Sequence, residues 1–314
     1  MVVSSLSVST NARTRERLSP VSNAPCEPLR NRKHEWHSLA ITPAELRDLP
    51  DLNKPDLIDS HSHLDAAEFD PDRAAVLARA RAAGVRRQIV PAVAFDTFPA
   101  LRDLCAREIG LYPAYGLHPI FLDEHVPQHL DALPDWIARE NPVAIGECGL
   151  DFFVPGLDVE TQRFYFRRQL EIARDFSLPV ILHARRALDE VIATIRQIGQ
   201  LRGVVHSFSG SLEQARQLWK CGFQIGIGGP VTYPRARRLR EIVATMPIEF
   251  LLLETDAPDQ PLQGHQGARN EPALLAQVCA CVAELRGAEP REIAAATTRN
   301  CTRLFQLPAE GAQP

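Results

Sequence analysis

Eight short apolar runs alternate with helical patterns between residues 57 and 256, and this alternation limits the fold more than any other feature of the chain. The runs are LIDSH (from Leu57), VRRQIVPAV (Val85), LYPAYGLHP (Leu111), VAIGE (Val143), PVILH (Pro179), GVVHSF (Gly203), FQIGIGG (Phe223) and FLLLETD (Phe250). Between them lie stretches with apolar residues near a 3.6 period, such as TQRFYFRRQLEIARDF, for which Thr161 is the predicted N-cap. Eight strand–helix units over about 250 residues indicate an α/β protein with a (β/α)8 TIM barrel. A doubly wound open sheet is the alternative.

Residues that can bind metals stand at the ends of these runs, where barrel enzymes carry their chemistry. They are His61 and His63 after the first run, His118 after the third, Glu147 after the fourth, His183 after the fifth, His206 after the sixth and Asp256 after the eighth. One histidine at a strand end is more often a hydrogen-bonded structural residue. A whole set around one edge of a barrel predicts a metal site instead.

The spacing within the set has a physical reason. Residues i and i+2 of a strand point the same way, so His61 and His63 are predicted to present two imidazoles to one cation. A bridging carboxylate holds two cations about 3.5–4 Å apart, and Glu147 is the central candidate for that role. The three lysines of the chain, Lys33, Lys54 and Lys220, do not end the fourth strand, which argues against a carboxylated lysine as the bridge.

The chain from about Asp56 to Pro308 resembles the TatD family of metal-dependent deoxyribonucleases, and most closely its YjjV-like branch of hydrolases. The matching stretches include DSHSHLD, GLHP, AIGECGLDF, GVVHSFSGS, IGIGGPVTYPRA, LLLETDAPD and RNEP. The resemblance implies metal ligands at six positions, the same set that the strand ends indicate: His61, His63, Glu147, His183, His206 and Asp256. Cys148 departs from the family pattern, which usually has an apolar residue there.

These residues predict hydrolysis by a water molecule that two divalent cations activate. Asp256 would take the proton of that water, and Glu147 would hold both cations. Four imidazoles and two carboxylates suit Zn²⁺, Mn²⁺ or Fe²⁺, whereas the resemblance implies Mg²⁺, so the metal stays open. His118, Arg185 and Arg269 are the predicted substrate-binding residues, although each arginine alone is more often a solvated charge.

Three functions remain open at this point. The first is a phosphodiesterase that acts on the ends of DNA strands, the second is an amidase or deacylase on a small ester or amide, and the third is a non-catalytic barrel that binds partners. The chain has a net charge of −4, and its first 33 residues carry six basic and two acidic side chains. The remainder is therefore more acidic, which argues against a broad nucleic-acid footprint but allows a local pocket for a strand end or a small phosphoester.

Composition divides the chain into three predicted parts. Residues 1–50, rich in Arg, Ser and Pro, are expected to form a flexible extension, with a transit peptide or an upstream start as alternatives. Residues 51–308 form the predicted barrel, and residues 309–314 a tail. The longest apolar runs are too short to cross a bilayer, and seven cysteines without a CxxC pair favour reduced thiols. We expect a cytoplasmic protein that is not attached to a membrane and has no obligate protein partner.

Overall fold

The eight predicted runs are eight strands of one parallel sheet in the computed structural model, which describes residues 56–308. Each strand pairs with the next one along the chain. The strands are β1 (Leu57–Asp59), β2 (Val85–Pro91), β3 (Leu111–Tyr115), β4 (Ala144–Asp151), β5 (Val180–Arg185), β6 (Gly203–Val205), β7 (Phe223–Ile227) and β8 (Leu251–Leu253). The predicted extension, residues 1–50, and the predicted tail, residues 309–314, lie outside the described residues.

Hydrogen bonds between the segments around β1 and β8 close this sheet into a barrel. The N–H of Ser60 donates to the carbonyl of Leu253 at 3.0 Å, and the N–H of Asp256 donates to the carbonyl of His61 at 2.9 Å. Closure satisfies the backbone groups that two edge strands would otherwise expose. The predicted (β/α)8 barrel is therefore confirmed, and the open-sheet alternative is wrong.

Nine α-helices of the described range surround or close the barrel. They are α1 (Arg73–Ala82), α2 (Phe98–Arg107), α3 (Pro127–Glu140), α4 (Val159–Asp175), α5 (Leu188–Ile198), α6 (Leu212–Lys220), α7 (Arg237–Thr245), α8 (Leu275–Arg286) and α9 (Pro290–Phe305). The N-cap of α4 is Asp158, whose carboxylate accepts from the N–H of Thr161 at 2.7 Å, so the prediction of Thr161 as the cap is wrong by three residues. None of these helices has the length and apolar character needed to cross a membrane.

The interior of the barrel is filled from the end where the strands begin. One apolar cluster takes a residue from each of seven strands: Ile58, Ile89, Ala114, Ala144, Ile181, Val204 and Leu252. Side chains of α9 and the residues after it, Cys301, Leu304, Phe305 and Leu307, complete this cluster. Because α9 closes this end with apolar side chains, polar groups inside the barrel gather at the other end, where the strands stop.

Candidate metal centre

Six of the sequence-predicted side chains meet where the strands end. Glu147 and His183 belong to β4 and β5, and the other four stand in the loops just beyond β1, β6 and β8: His61, His63, His206 and Asp256. Three groups of three residues have their ligand atoms within 4.8 Å of one another inside the group. The groups are His61, His63 and Asp256; His61, Glu147 and His206; and His118, Glu147 and His183.

One oxygen of Glu147 faces the histidines that follow β1. The Oε2 atom lies 3.1 Å from Nε2 of His61 and 3.4 Å from Nε2 of His63. The Oδ1 atom of Asp256 approaches the same two nitrogens, at 3.5 Å from His61 and 3.7 Å from His63. Two imidazoles and two carboxylate oxygens therefore surround one small space, which we call the first subsite.

The other oxygen of Glu147 faces the histidines of later strands. The Oε1 atom lies 2.7 Å from Nε2 of His206, 3.0 Å from Nδ1 of His183 and 3.1 Å from Nε2 of His118. We call this space the second subsite. The carboxylate of Glu147 thus stands between two groups of imidazoles, with one oxygen directed to each.

The local backbone of β4 turns Glu147 into the barrel. The β4–β5 ladder shifts register between Ile145 and Cys148, so that the N–H of Glu147 bonds instead to the carbonyl of Ala92 at 3.2 Å. Gly146 allows this bend, because its φ is +144° and a Cβ there would lie 2.6 Å from the carbonyl oxygen of Ile181. The irregularity is therefore the feature that aims the central carboxylate.

The electrostatics of the site favour positive charge. Burial alone would raise the pKa of Glu147, but the neighbouring imidazoles, first that of His206, hold this pKa well below its usual range. Burial lowers the pKa of an imidazole, yet Glu147 outweighs it at His63 and His206 and raises their pKa to about 10 and about 9. The ionised carboxylate thus attracts protons, and a divalent cation would supply the same charge through the same nitrogens.

The chemistry of the donor set fits divalent cations. Imidazole nitrogens and carboxylate oxygens from different strands and the loops after them converge on each subsite. Among the described residues, no lysine or arginine forms an ion pair with Glu147 or Asp256. His61 is fully buried, and burial lowers its pKa well below the ordinary value, so its ring is neutral and keeps a lone pair for a metal. The assignment of the six residues as ligands stays a prediction.

A network anchors Asp256 in the first subsite. Its φ is +56°, and the side-chain amide of Gln260 donates to its Oδ2 atom at 2.5 Å, which leaves Oδ1 directed at the histidines. The same amide of Gln260 donates to the hydroxyl of Ser207. Burial raises the pKa of Asp256, and the imidazole of His206 opposes that rise. One oxygen of Asp256 is thereby held and the other is free for a cation or a proton.

Asp151, at the end of β4, is a site residue that the sequence reasoning missed. Its Oδ2 atom lies 2.9 Å from Nε2 of His183, and its Oδ1 atom accepts from the N–H groups of Phe153 at 2.8 Å and Val154 at 2.9 Å. A carboxylate that holds one nitrogen of a histidine directs the other nitrogen at a metal. The signal in the sequence was an acidic residue at the end of the fourth strand, in GLDF.

We expect Asp151→Asn to weaken metal binding at the second subsite by about 10–100-fold, because an amide supports the ring of His183 less well than a carboxylate. Isothermal titration of metal-free protein with Zn²⁺ or Mn²⁺ measures this. Asp158→Asn alters the N-cap of α4 and should leave metal affinity unchanged. Equal affinities for wild type and Asp151→Asn would contradict the role of Asp151.

Glu254 is a second residue that the sequence reasoning did not single out. It directly follows β8, is fully buried, and accepts from the N–H of Ser207 at 2.5 Å. Gly226 makes room for it, since a Cβ there would lie 1.9 Å from its Oε2 atom. Burial raises the pKa of Glu254 to about 8. The side chain therefore holds the loop after β6, which begins with His206, in place.

The three predicted substrate-binding residues have different surroundings. His118 is buried within the second subsite, and its carbonyl accepts from Nε2 of His125 at 2.9 Å. Arg185 ends β5, and its guanidinium lies 3.7 Å from the ring centre of Phe153. Both stand at the end of the barrel where the candidate ligands meet. Their contact with a substrate remains a prediction.

Arg269 lies in an ion-pair cluster that joins the loop after β8 to α1. Its guanidinium donates to Asp72 at 2.8 Å with each terminal nitrogen and to Glu271 at 3.0 Å, and it packs 4.6 Å from the ring centre of Phe69. Arg79 also donates to both oxygens of the buried Glu271, at 2.7 and 2.8 Å. These contacts favour a structural role, and its assignment to substrate binding rested only on its place after the eighth strand.

We expect Arg269→Gln to lower the free energy of unfolding by about 3 kcal/mol, because it leaves the buried Glu271 with one partner fewer. The Michaelis constant of the folded enzyme should not change. Arg174→Gln, which removes an exposed pair with Asp175, should cost less than about 1 kcal/mol. Denaturant unfolding checks both variants. A raised Michaelis constant with unchanged stability would restore the substrate-binding prediction.

Comparison with known proteins gives one consistent result. A family model described as TatD related DNase matches residues 58–306. The chain is 43% identical over 254 residues to the uncharacterized metal-dependent hydrolase YjjV of Escherichia coli K12, covering 80% of this chain and 98% of that protein. It is 36% identical over 255 residues to the uncharacterized metal-dependent hydrolase YabD of Bacillus subtilis 168, covering 80% and 99%. The crystal structure of YjjV from E. coli K12 superposes with a TM-score of 0.78 at 41% identity, covering 81% of this chain and 100% of that one.

Proposed function

Since the chain belongs to the TatD-related DNase family of metal-dependent hydrolases, we propose that it hydrolyses phosphodiester bonds at the ends of DNA strands. One observation carries the proposal. One oxygen of Glu147 faces His61 and the other faces His206, as a carboxylate placed between two cations would. Two cations side by side suit the charge that develops on both the attacking and the leaving oxygen of a phosphoryl group.

His61, His63 and Asp256 would hold one cation, and His183 and His206 the other, with Glu147 shared between them. Divalent cations at such a site supply a nucleophilic water at neutral pH and polarise a phosphoryl oxygen. On the softness of the donors, Zn²⁺ or Mn²⁺ suits this set better than Mg²⁺, which usually takes more oxygen ligands.

Three further side chains would accept the proton, orient the acceptor and bind the phosphate. Asp256 has one oxygen directed at the first subsite and would accept the proton of the attacking water. The amide of Gln260 holds the other oxygen of Asp256, so the carboxylate keeps its orientation while it changes charge. Arg185 would bind a non-bridging phosphate oxygen, because its guanidinium forms no ion pair with a carboxylate of the described chain and stands two residues beyond His183.

The proposal is tested with purified protein, exhaustive chelation and a panel of substrates. The panel contains single-stranded DNA, bis-p-nitrophenyl phosphate and small ester and amide substrates. We expect chelation to abolish turnover of both phosphodiesters, and Zn²⁺ or Mn²⁺ to restore it. Amide or ester turnover without phosphodiester turnover would support the amidase alternative. Full activity after confirmed metal loss would contradict metal dependence.

We also propose that the protein acts in the cytoplasm. Every described cysteine is a free thiol, which is typical of a reducing compartment. Nucleic-acid ends or small phosphoesters are the proposed substrates. We propose no obligate protein partner.

A further inference from the structure

The carboxylate of Glu254, which follows β8, crosses β7 and reaches the loop after β6. A Cβ at Gly226 of β7 would lie 1.9 Å from the Oε2 atom of Glu254 and 3.0 Å from its Oε1 atom. The Oε1 atom accepts from the N–H of Ser207 at 2.5 Å. A side chain at position 226 would occupy the place of this carboxylate, so a glycine is required there for Glu254 to reach Ser207.

His206 belongs to the segment that this carboxylate contacts. The N–H of Phe208 donates to the carbonyl of Gly226 at 3.1 Å, so residues 206–208 run along β7 beside Gly226. Burial raises the pKa of Glu254, and His206 is the charged group that opposes this rise most. Glu254 and His206 are therefore neighbours in the buried interior, although they follow different strands.

Each of these two neighbours has one buried polar atom without a hydrogen-bond partner in the described part of the chain. At His206 this atom is Nδ1, because Nε2 lies 2.7 Å from Oε1 of Glu147. At Glu254 it is Oε2, since Oε1 accepts from Ser207. An imidazole that offers the lone pair of Nε2 carries its proton on Nδ1, which makes Nδ1–H a donor. An unpaired buried polar atom is unfavourable, and this donor and the Oε2 acceptor can satisfy each other.

His183, another imidazole of the second subsite, already has such an acceptor. Its Nδ1 atom lies 3.0 Å from Oε1 of Glu147, and its Nε2 atom lies 2.9 Å from Oδ2 of Asp151. A carboxylate on the far nitrogen fixes the tautomer of the ring and directs the near nitrogen at the subsite. His206 needs an acceptor of the same kind, and the unpaired oxygen of Glu254 belongs to a carboxylate.

We propose that Glu254 is a positioning residue for His206: its Oε2 atom accepts the Nδ1–H of His206, directly or through one buried water molecule, and so fixes the tautomer in which Nε2 can bind a cation. Positive charge at the second subsite favours the ionised carboxylate, which only accepts hydrogen bonds. The inference rests on the proposed role of His206 as a ligand. It gives Glu254 a task at the metal centre in addition to its support of the loop through Ser207.

The variant Glu254→Gln separates this task from support of the loop. Its amide oxygen can still accept from the N–H of Ser207, which leaves the NH2 group, a donor, where the carboxylate offered an acceptor. We expect thermal unfolding to be unchanged, whereas Zn²⁺ affinity at the second subsite falls about 10–100-fold and that at the first subsite stays within about twofold. Isothermal titration of metal-free protein measures both binding steps, and Asp151→Asn identifies the step that belongs to the second subsite.

Glu249→Gln, which changes an exposed glutamate just before the same strand, is the matched control and should change neither affinity. Two results would overturn the proposal. Unchanged affinities in Glu254→Gln would mean that Glu254 only supports the loop. Equal losses at both subsites would mean that its charge acts on the whole centre and not on His206.

The Nδ1–H of His206 gives a second readout that does not depend on turnover. In protein with isotope-labelled histidine, nuclear magnetic resonance should show a slowly exchanging, downfield N–H signal that is missing from His206→Gln, which assigns it. Glu254→Gln should move this signal upfield. Gly226→Ala, whose Cβ takes the place of the carboxylate, should do the same without a change of charge. A signal that neither variant moves would contradict the contact.

The signal also separates this inference from the assignment of His206 as a ligand. If wild type binds no cation at the second subsite but Glu254→Gln still moves the His206 signal of the metal-free protein, the ligand assignment is wrong and the contact stands. If wild type binds the cation and Glu254→Gln changes neither the signal nor the affinity, the contact is wrong and the ligand assignment stands.

Discussion

Glu147→Gln is expected to remove tight metal binding from both subsites at once. The amide is the same size as the carboxylate, but it has one oxygen and a donor nitrogen where Glu147 has two acceptor oxygens. One group of imidazoles therefore loses its anionic oxygen, and the other faces a neutral one. Loss of a residue that only supports a ligand costs about 10–100-fold in affinity, and loss of the shared carboxylate should cost more.

Inductively coupled plasma analysis after dialysis measures the metal content of Glu147→Gln, and single-turnover assays measure its rate. Cys148→Ala, the next position on β4, is the matched control. The Cys148 side chain packs in the apolar core, so its removal should lower stability without releasing metal. If Glu147→Gln retained two tightly bound cations, Glu147 would not be the carboxylate that the two cations share.

The barrel and the set of candidate ligands were both readable from the sequence, because each depends on order along the chain. Apolar runs that stop at a polar residue mark a strand and its end, and the ends of parallel strands meet at one face. The prediction that the pleat of a strand directs His61 and His63 to the same side was wrong. Strand β1 stops at Asp59, so the pleat of a strand does not direct these rings. The N–H of His63 bonds instead to the carbonyl of Ala257 at 2.8 Å, and the rings converge with Nε2 atoms 3.2 Å apart.

The supporting residues were not readable, because their roles depend on contacts between distant parts of the chain. Asp151 supports His183 from 32 positions away, and Glu254 bonds to Ser207 from 47 positions away. Arg269 also has contacts that depend on distant parts of the chain. It stands after β8 like Asp256, but its guanidinium pairs with Asp72 at the start of α1, which sequence order cannot reveal. Position along the chain predicts which loop carries a residue, and packing decides where its side chain points.

The bend of β4 at Glu147 could not be predicted from the sequence either. A regular β4 would alternate its side chains between barrel interior and helix layer, and the register shift after Ile145 changes which residues point inward. The sequence offers AIGEC, in which a glycine precedes the carboxylate, but a glycine in a strand has several explanations. The geometry of the central carboxylate, on which the proposed function depends, thus came from the structure alone.

Asp256→Asn is expected to separate turnover from metal binding, since its carboxylate has the two proposed tasks of binding a cation and accepting a proton. The second subsite uses the Oε1 atom of Glu147 with His183 and His206, so the variant should keep at least that cation. An amide cannot accept the proton of the attacking water, and loss of a general base alone slows a reaction by about 10²–10⁴-fold. Asp259→Asn, in the same loop, should retain activity within a few-fold of wild type. Metal analysis and single-turnover rates on the same preparations decide the matter. Near wild-type turnover by Asp256→Asn would assign the proton to another acceptor, whereas loss of all metal would make Asp256 essential to both subsites and leave no separate role as a base.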